Sequence, residues 1–288
     1  MRSFHHAEFP ADRLRAERDE TISVCVPARD EATTIARVVD PLMALLEEGV
    51  VDQVVVLDDD SRDATAEIAT RLGADVVRPA SLLPEFGPVL GKGDAMWRAL
   101  SILRGELVCF VDADSEDFGA HFACGLLGPL VCAPAAQFVK GFYRRPFKHA
   151  AGDVRPTGGG RVTQLTARPL LSAFYPELAD VRQPLAGEFA ARRELLERMA
   201  FCTGYAVEIG LLLDVWADAG TAALAQVDLE SRQNRHQRLE DLAPMAGAVL
   251  GAVTTRLRRE GRLVGAQDAE AQLERPPLAE LRAIRQAS

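Results

Sequence analysis

Three apolar, β-rich runs in this chain each end in a cluster of acids. They are TISVCVPA (21–28), followed by RDE; DQVVVLDDD (52–60); and ELVCFVDADSEDF (106–118). Their near-continuous hydrophobicity marks strands covered on both faces. Between the first two, Ile35, Val38, Val39, Leu42, Leu45 and Leu46 recur at helical spacing, and Gly49 follows as a stop. A helix over about 63–72, a short strand ADVVR (74–78), a Gly/Pro-rich loop (82–93) and a helix starting at GDAMWRALSIL lead into the third. This β-α-β order predicts a parallel, doubly wound sheet across the first half. Ligands of such sheets bind beyond the carboxyl ends of the strands, where these acids converge. Asp112, Asp114, Glu116 and Asp117 would repel one another there unless a cation sat among them.

The rest of the composition narrows the partners. At 288 residues the chain can bury a sizeable core, and its net charge of −9 argues against nucleic acid or an anionic membrane as a partner. The polar N-terminus (1–20) lacks the apolar core of a signal peptide and reads as a disordered-looking extension carrying His5 and His6. FACGLLGPLVCAPAAQFV (122–139) contains Gly125, Gly128, Pro129 and Pro134, and reads as a buried helix, a turn and a strand rather than a membrane span. The five cysteines follow no metal-ligand spacing and look like reduced core thiols. A cytoplasmic location is expected.

The chemistry of the crevice follows from what is missing and what is present. No G-x-G-x-x-G or P-loop follows the first strand, and the glycine-rich basic loop of a sugar nucleotidyltransferase is absent. Asp-x-Asp behind a buried strand suits Mg²⁺ or Mn²⁺ bridging a nucleotide diphosphate, since these ions take oxygen ligands from carboxylates, phosphates and water. The ion would offset the carboxylate repulsion and stabilise a departing diphosphate. In the second half, PTGGGRVT reads as a Gly-rich turn feeding a helix over about 161–173, with backbone N–H groups aimed at an anion. FYRRPFK adds Arg144, Arg145 and Lys148, read as a solvated basic edge.

Taken in order, VPARDEATTI, VVVLDDDSRDAT, LPEFGPVLGKGDAMWRAL, FVDADS, FVKGFYRRP, PTGGGRVTQLTARPLL, ELADVRQPLAGEFAARRELL, GYAVEIGLLLD and ALAQVDLE lie within residues 20 to 250. Through them the chain resembles the GT-A fold retaining glycosyltransferases that make glucosyl- or mannosyl-3-phosphoglycerate. The resemblance implies an α/β fold with a nucleotide-sugar-binding half (21–118), an acceptor-binding half (119–260) and a C-terminal tail (261–288). Pro27, Ala28, Arg29 and Glu31 would line the donor pocket, with Asp58 and Asp59 near base and ribose. Lys92 would contact the donor. Asp112 would bind the ribose or a metal-bound water, and Asp114 the metal itself. Gly160, Arg161 and Thr163 match the acceptor contacts, and Tyr205 and Glu208 match positions near the transferred sugar or acceptor. Asp114, Lys92, Arg161 and Glu208 are thus the catalytic candidates. Asp59 stands where the family more often has serine.

One departure concerns the metal. The family's R-x-H-R-N pattern reads S-R-Q-N-R-H-Q-R here (231–238), with Asn234 in the histidine's place and His236 two positions later. Either His236 or Asn234 completes the ligand set, or water does and His236 meets the acceptor.

The leading expectation is metal-dependent, retaining transfer of a hexose from a UDP- or GDP-sugar to 3-phosphoglycerate by an enzyme that is commonly a homodimer. The alternatives are an antibiotic-pathway transferase joining a GDP-sugar to another acceptor, such as the thiol ergothioneine, and a non-catalytic nucleotide-sugar-binding protein. The C-terminal LEDLAPMAGAVLGAVTTRLRR (239–259) predicts a helix on the catalytic core, and the tail a helix interrupted by Pro276 and Pro277.

Overall fold

A computed structural model describes residues 1–148, 154–155, 159–233, 238–264 and 273–287. In chain order the strands are β1 (Arg2–His5), β2 (Ile22–Ala28), β3 (Gln53–Asp58), β4 (Asp75–Val77), β5 (Leu107–Phe110), β6 (Phe138–Arg144), the short pair β7 (Phe147–Lys148) and β8 (Val154–Arg155), β9 (Phe189–Arg192), β10 (Phe201–Cys202), β11 (Leu224–Ser231) and β12 (Glu274–Arg275). The α-helices are α1 (Ala11–Glu17), α2 (Ile35–Glu47), α3 (Thr65–Arg71), α4 (Lys92–Ala99), α5 (Ala120–Cys132), α6 (Arg168–Phe174), α7 (Arg193–Arg198), α8 (Val207–Ala219), α9 (Leu239–Arg259) and α10 (Leu278–Ala287).

Among the described residues, eight strands form one sheet in the order β1-β11-β6-β9-β5-β2-β3-β4. All neighbours are parallel except β9, which runs antiparallel between β5 and β6. The parallel unit β5-β2-β3-β4 is the one the acid-ended runs predict. Alternate residues of each strand feed two apolar layers. Cys25, Val55, Leu57, Val108 and Phe110 pack on the face carrying α4, α8 and α9. Val24, Val26, Val54, Val56 and Cys109 pack on the face carrying α2 and α5. The 122–139 stretch forms α5 and the start of β6, and among the described residues no helix is long and apolar enough to cross a membrane. All five cysteines are free thiols, four of them buried.

Both ends of the chain differ from expectation. The N-terminal residues form an edge strand of the main sheet, pairing Arg2 with Ala225 through His5 with Asp228. Phe9 and Leu14 then bury against α5, so apolar anchors outweigh the polar composition. In the tail the two prolines do not interrupt a helix. They separate β12, which pairs with β10, from α10. Proline is suited to that junction because it lacks the N–H that a continuing strand would need.

Candidate active site

The loops after β2 and β3 interlock through backbone-to-side-chain hydrogen bonds. Asp30 N–H donates to Ser61 Oγ at 2.9 Å, Glu31 N–H to Thr65 Oγ1 at 2.8 Å and Ala32 N–H to Asp63 Oδ2 at 3.0 Å. Ser61, Asp63 and Thr65 therefore shape the Arg29–Glu31 turn. Arg29 faces Asp59 across 3.6 Å. Burial raises the Asp59 pKa, against the opposing pull of Arg29.

Lys92, the first residue of α4, sits between two carboxylates: its Nζ is 2.6 Å from Asp112 Oδ1 and 2.8 Å from Glu208 Oε1. Burial by itself would lower the lysine's pKa, but those two carboxylates outweigh it and hold the ammonium charged. Further along α4, Arg98 is fully buried and donates to the carbonyls of Leu82, Leu83, Gly87 and Pro88 in the loop that precedes Lys92. The Gly/Pro-rich loop thus wraps one guanidinium.

Beneath Asp112 and Asp114 lies Arg232, only 2% exposed. It donates to Asp112 Oδ2 at 3.1 Å, to Asp114 Oδ1 and to Tyr143 Oη at 2.9 Å, and lies 2.8 Å from Glu188 Oε1. Tyr143 Oη in turn donates to Glu188 Oε2 at 2.6 Å. Burial drives the Glu188 carboxyl upward, with Arg232 opposing it. Lys140, also buried, donates to Ala186 O, and burial lowers its pKa to about 8.

The QPLAGE segment supplies the wall behind the acids. Gln183 Nε2 donates to Tyr143 O, Ala186 accepts from Lys140, and Glu188 meets Arg232. At Gly187 a Cβ would lie 2.3 Å from both Asp112 carboxylate oxygens, so any side chain there displaces Asp112.

Across the cleft, Gly160 adopts φ +71°, a left-handed conformation that favours glycine. Arg161 and Val162 follow, and Thr163–Ala167 form a turn of π-helix before α6. Such turns recur at functional sites. Gly159 N–H donates to Arg145 O at 3.1 Å, fastening this loop to the end of β6.

One cavity of about 510 Å³ joins these parts. Of the residues anticipated from sequence, it is lined by Pro27, Ala28, Arg29, Glu31, Asp59, Lys92, Asp112, Asp114, Gly160, Arg161, Thr163, Tyr205 and Glu208. Tyr205 stands at the mouth, 55% exposed. Asp58 differs: it is 3% exposed and outside the lining, with no hydrogen-bond partner for Oδ1 among the described residues. Asn234 and His236 lie outside the described residues, as does the side chain of Lys148.

Sequence alone assigned no role to Arg232, Glu188, Tyr143 or Lys140, although the last three fall within segments that carried the family resemblance and Arg232 within the 231–238 segment that departs from it. Arg145, expected on a solvated edge, lines the cavity, whereas Arg144 is exposed and donates to Glu230 O at 3.3 Å.

The acidic end of this cavity suits a hard divalent cation. Three carboxylates (Asp112, Asp114, Glu208) line it beside Lys92 and Arg232, with Glu188 and Lys140 buried behind them, and oxygen donors dominate the set. Both Asp112 oxygens are engaged by cations, while Asp114 lies nearer solvent, with 34% of its side chain exposed.

An α/β sheet with this Asp-x-Asp at a strand end and a second anion-suited loop facing it is the architecture of a GT-A glycosyltransferase. Residues 23–123 match the family described as Glycosyl transferase family 2. The glucosyl-3-phosphoglycerate synthase of Petrotoga mobilis is 41% identical over 91% of this chain and 82% of its own. That of Mycolicibacterium smegmatis is 44% identical over 85% and 80%. The crystal structure of mannosyl-3-phosphoglycerate synthase from Rubrobacter xylanophilus superposes with a TM-score of 0.90 at 43% identity, covering 97% of each chain. The Mycobacterium tuberculosis glucosyl-3-phosphoglycerate synthase, in complex with Mn²⁺, UDP and phosphoglyceric acid, gives 0.86 at 38% identity, covering 98% of this chain and 99% of that one. With identity this high across nearly the full length, the chain belongs to the glucosyl- and mannosyl-3-phosphoglycerate synthase family, and it is a glycosyltransferase.

Proposed function

We propose that the enzyme transfers a hexose from a nucleoside-diphosphate sugar to 3-phosphoglycerate with a divalent cation, Mg²⁺ or Mn²⁺. The observation that supports this reading most is the joining, in one cavity, of the Asp59–Lys92–Asp114 side to the Arg145–Gly160–Arg161–Thr163 side. Relatives bearing this activity in their names, and the Mn²⁺–UDP–phosphoglyceric acid complex of one of them, support it further.

In this reading Asp114 holds the cation, with Asp112 behind it. When bound, the cation supplies Lewis-acid stabilisation of charge developing on the departing diphosphate. Lys92, kept charged by Asp112 and Glu208, donates to a donor oxygen. Glu31 and Arg29 present the turn that receives the nucleotide, beside Asp59. Arg161 and Arg145 grip the acceptor's carboxylate and phosphate, and Thr163 and the Gly160 turn complete that pocket. Holding donor and acceptor in one reactive geometry removes much of the entropic barrier.

The test combines a donor screen with one variant. Turnover should appear with 3-phosphoglycerate and a UDP- or GDP-linked glucose or mannose, and the preferred pair identifies the donor. Arg161→Ala should raise the acceptor KM by about thirtyfold to a thousandfold, the loss of a charge-assisted contact worth roughly 2–4 kcal/mol, while donor affinity measured by calorimetry stays unchanged. Weakened donor binding with an unchanged acceptor KM would overturn this assignment. A small acceptor effect with donor binding intact would point to a different acceptor, such as a thiol.

A further inference from the structure

We propose that His5, His6 and Glu230 form a second metal site, on the protein surface, for one borderline divalent ion of the Zn²⁺ class. One ligand atom from each of the three lies within 4.8 Å of the others. His6 Nε2 is 3.1 Å and His5 Nε2 3.9 Å from Glu230 Oε1. Two imidazoles and a carboxylate, with water in the fourth position, make a tetrahedral zinc set, in contrast to the all-oxygen surroundings that Mg²⁺ favours.

The backbone aims these groups deliberately. β11 loses register with β6 between Asp228 and Ser231, a bulge of the kind that redirects side chains. Within it Glu230 sits at φ +66°, a left-handed conformation that is uncommon for a residue with a side chain. That geometry is held from two directions: Glu230 N–H donates to Asp228 Oδ1 at 2.9 Å, and Arg144 Nε donates to Glu230 O. An exposed carboxylate–imidazole contact contributes little stability, so the strain is not explained by the pairing alone. The His6 ring is fixed by packing on His5 at 4.5 Å and on His121 at 4.7 Å between ring centroids. Binding makes two demands: His6 Nε2 exchanges its hydrogen bond with Glu230 Oε1 for the metal, and His5 gives up a second contact. His5 Nδ1 accepts from Ala7 N–H at 3.2 Å, so ligation through Nε2, which leaves the proton on Nδ1, releases that long contact.

The site lies apart from the catalytic acids but is linked to them through the chain. Glu230 is two residues before Arg232, so the ion would tie edge strand β1 to the segment that carries the buried arginine. Its ligands are nitrogen-rich, which distinguishes its metal preference from that of Asp114.

The experiment titrates the full-length protein with Zn²⁺ in excess Mg²⁺, with Co²⁺ as a spectroscopic probe. One Zn²⁺ per chain should persist against Mg²⁺. Its affinity should fall at least about tenfold in His5→Gln and in Glu230→Gln and remain unchanged in Asp114→Ala. Bound Co²⁺ should show tetrahedral d–d bands without thiolate charge transfer. Circular dichroism confirms that the two surface variants are folded. Absence of Zn²⁺ binding, binding that survives Glu230→Gln but vanishes in Asp114→Ala, or a thiolate band would each overturn the proposal.

Discussion

At Asp112 both carboxylate oxygens are committed, Oδ1 to Lys92 and Oδ2 to Arg232, whereas Asp114 reaches Arg232 from the cavity side. The two acids of one Asp-x-Asp therefore have different work. Asp114→Ala should abolish metal-dependent turnover and leave the unfolding midpoint nearly unchanged, because Arg232 keeps Asp112, Glu188 and Tyr143. Full activity of this variant in limiting Mn²⁺ would rule the role out. Lys140 makes a different prediction. Burial lowers its pKa from 10.5 to about 8, with Glu208 and Glu188 opposing. The unfolded chain therefore binds more protons than the folded one between these values. Below about 8 the cost of burying the ammonium is fully present, and it is relieved as pH rises towards about 10.5. Relative to Lys140→Met, the wild-type melting temperature should rise between about pH 8 and 10. A flat difference would show that the lysine is not buried as a cation.

At the scale of elements, the Gly/Pro-rich loop before α4, proposed to meet the donor, is held by the tail. Asp94, fully buried at the start of α4, accepts from Leu90 N–H at 2.8 Å and pairs with both Arg98 and Arg275. Arg275 belongs to β12, and the following Pro276 O accepts from Trp97 Nε1 at 2.8 Å. Removing one partner from a buried ionic cluster leaves uncompensated charge. Arg275→Ala should therefore loosen the Leu90–Lys92 corner, raising the donor KM several-fold with a smaller effect on the acceptor KM. Equal effects on both constants would argue that β12 merely stabilises the fold. The neighbouring elements of the sheet were readable from sequence because each strand's two covered faces demand an uninterrupted apolar run. The short β10–β12 pair has no such signature, since two residues carry no period.

For the molecule as a whole, the N-terminal segment is part of the structure that must fold. It adds a parallel edge strand to β11 and buries Phe9 and Leu14 at 3% and 0% exposure. Phe9→Ala should cost about 3 kcal/mol or more, a large fraction of a typical total of roughly 5–15, and chemical denaturation would measure it. A loss under about 1 kcal/mol would mean that this segment is only loosely attached.

What the sequence by itself determined is the β-α alternation, the acids at three strand ends, the Gly-rich turn before α6 and the α9 helix. Each is local, written in periodicity or in adjacent residues, and so survives without knowledge of partners. Only the tertiary structure decided which charges meet. Arg232 is 120 and 118 positions from Asp112 and Asp114 in sequence, yet β11 is brought beside β6 and the arginine just beyond it lies under both acids. Tyr143 enters the same network from β6 and Glu188 from the segment before β9. The sequence also could not show that Gly187 is empty space for a carboxylate, or that a polar N-terminus ends in the sheet. Charge pairing across a sheet depends on strand order and register, and neither has a period that a single chain displays.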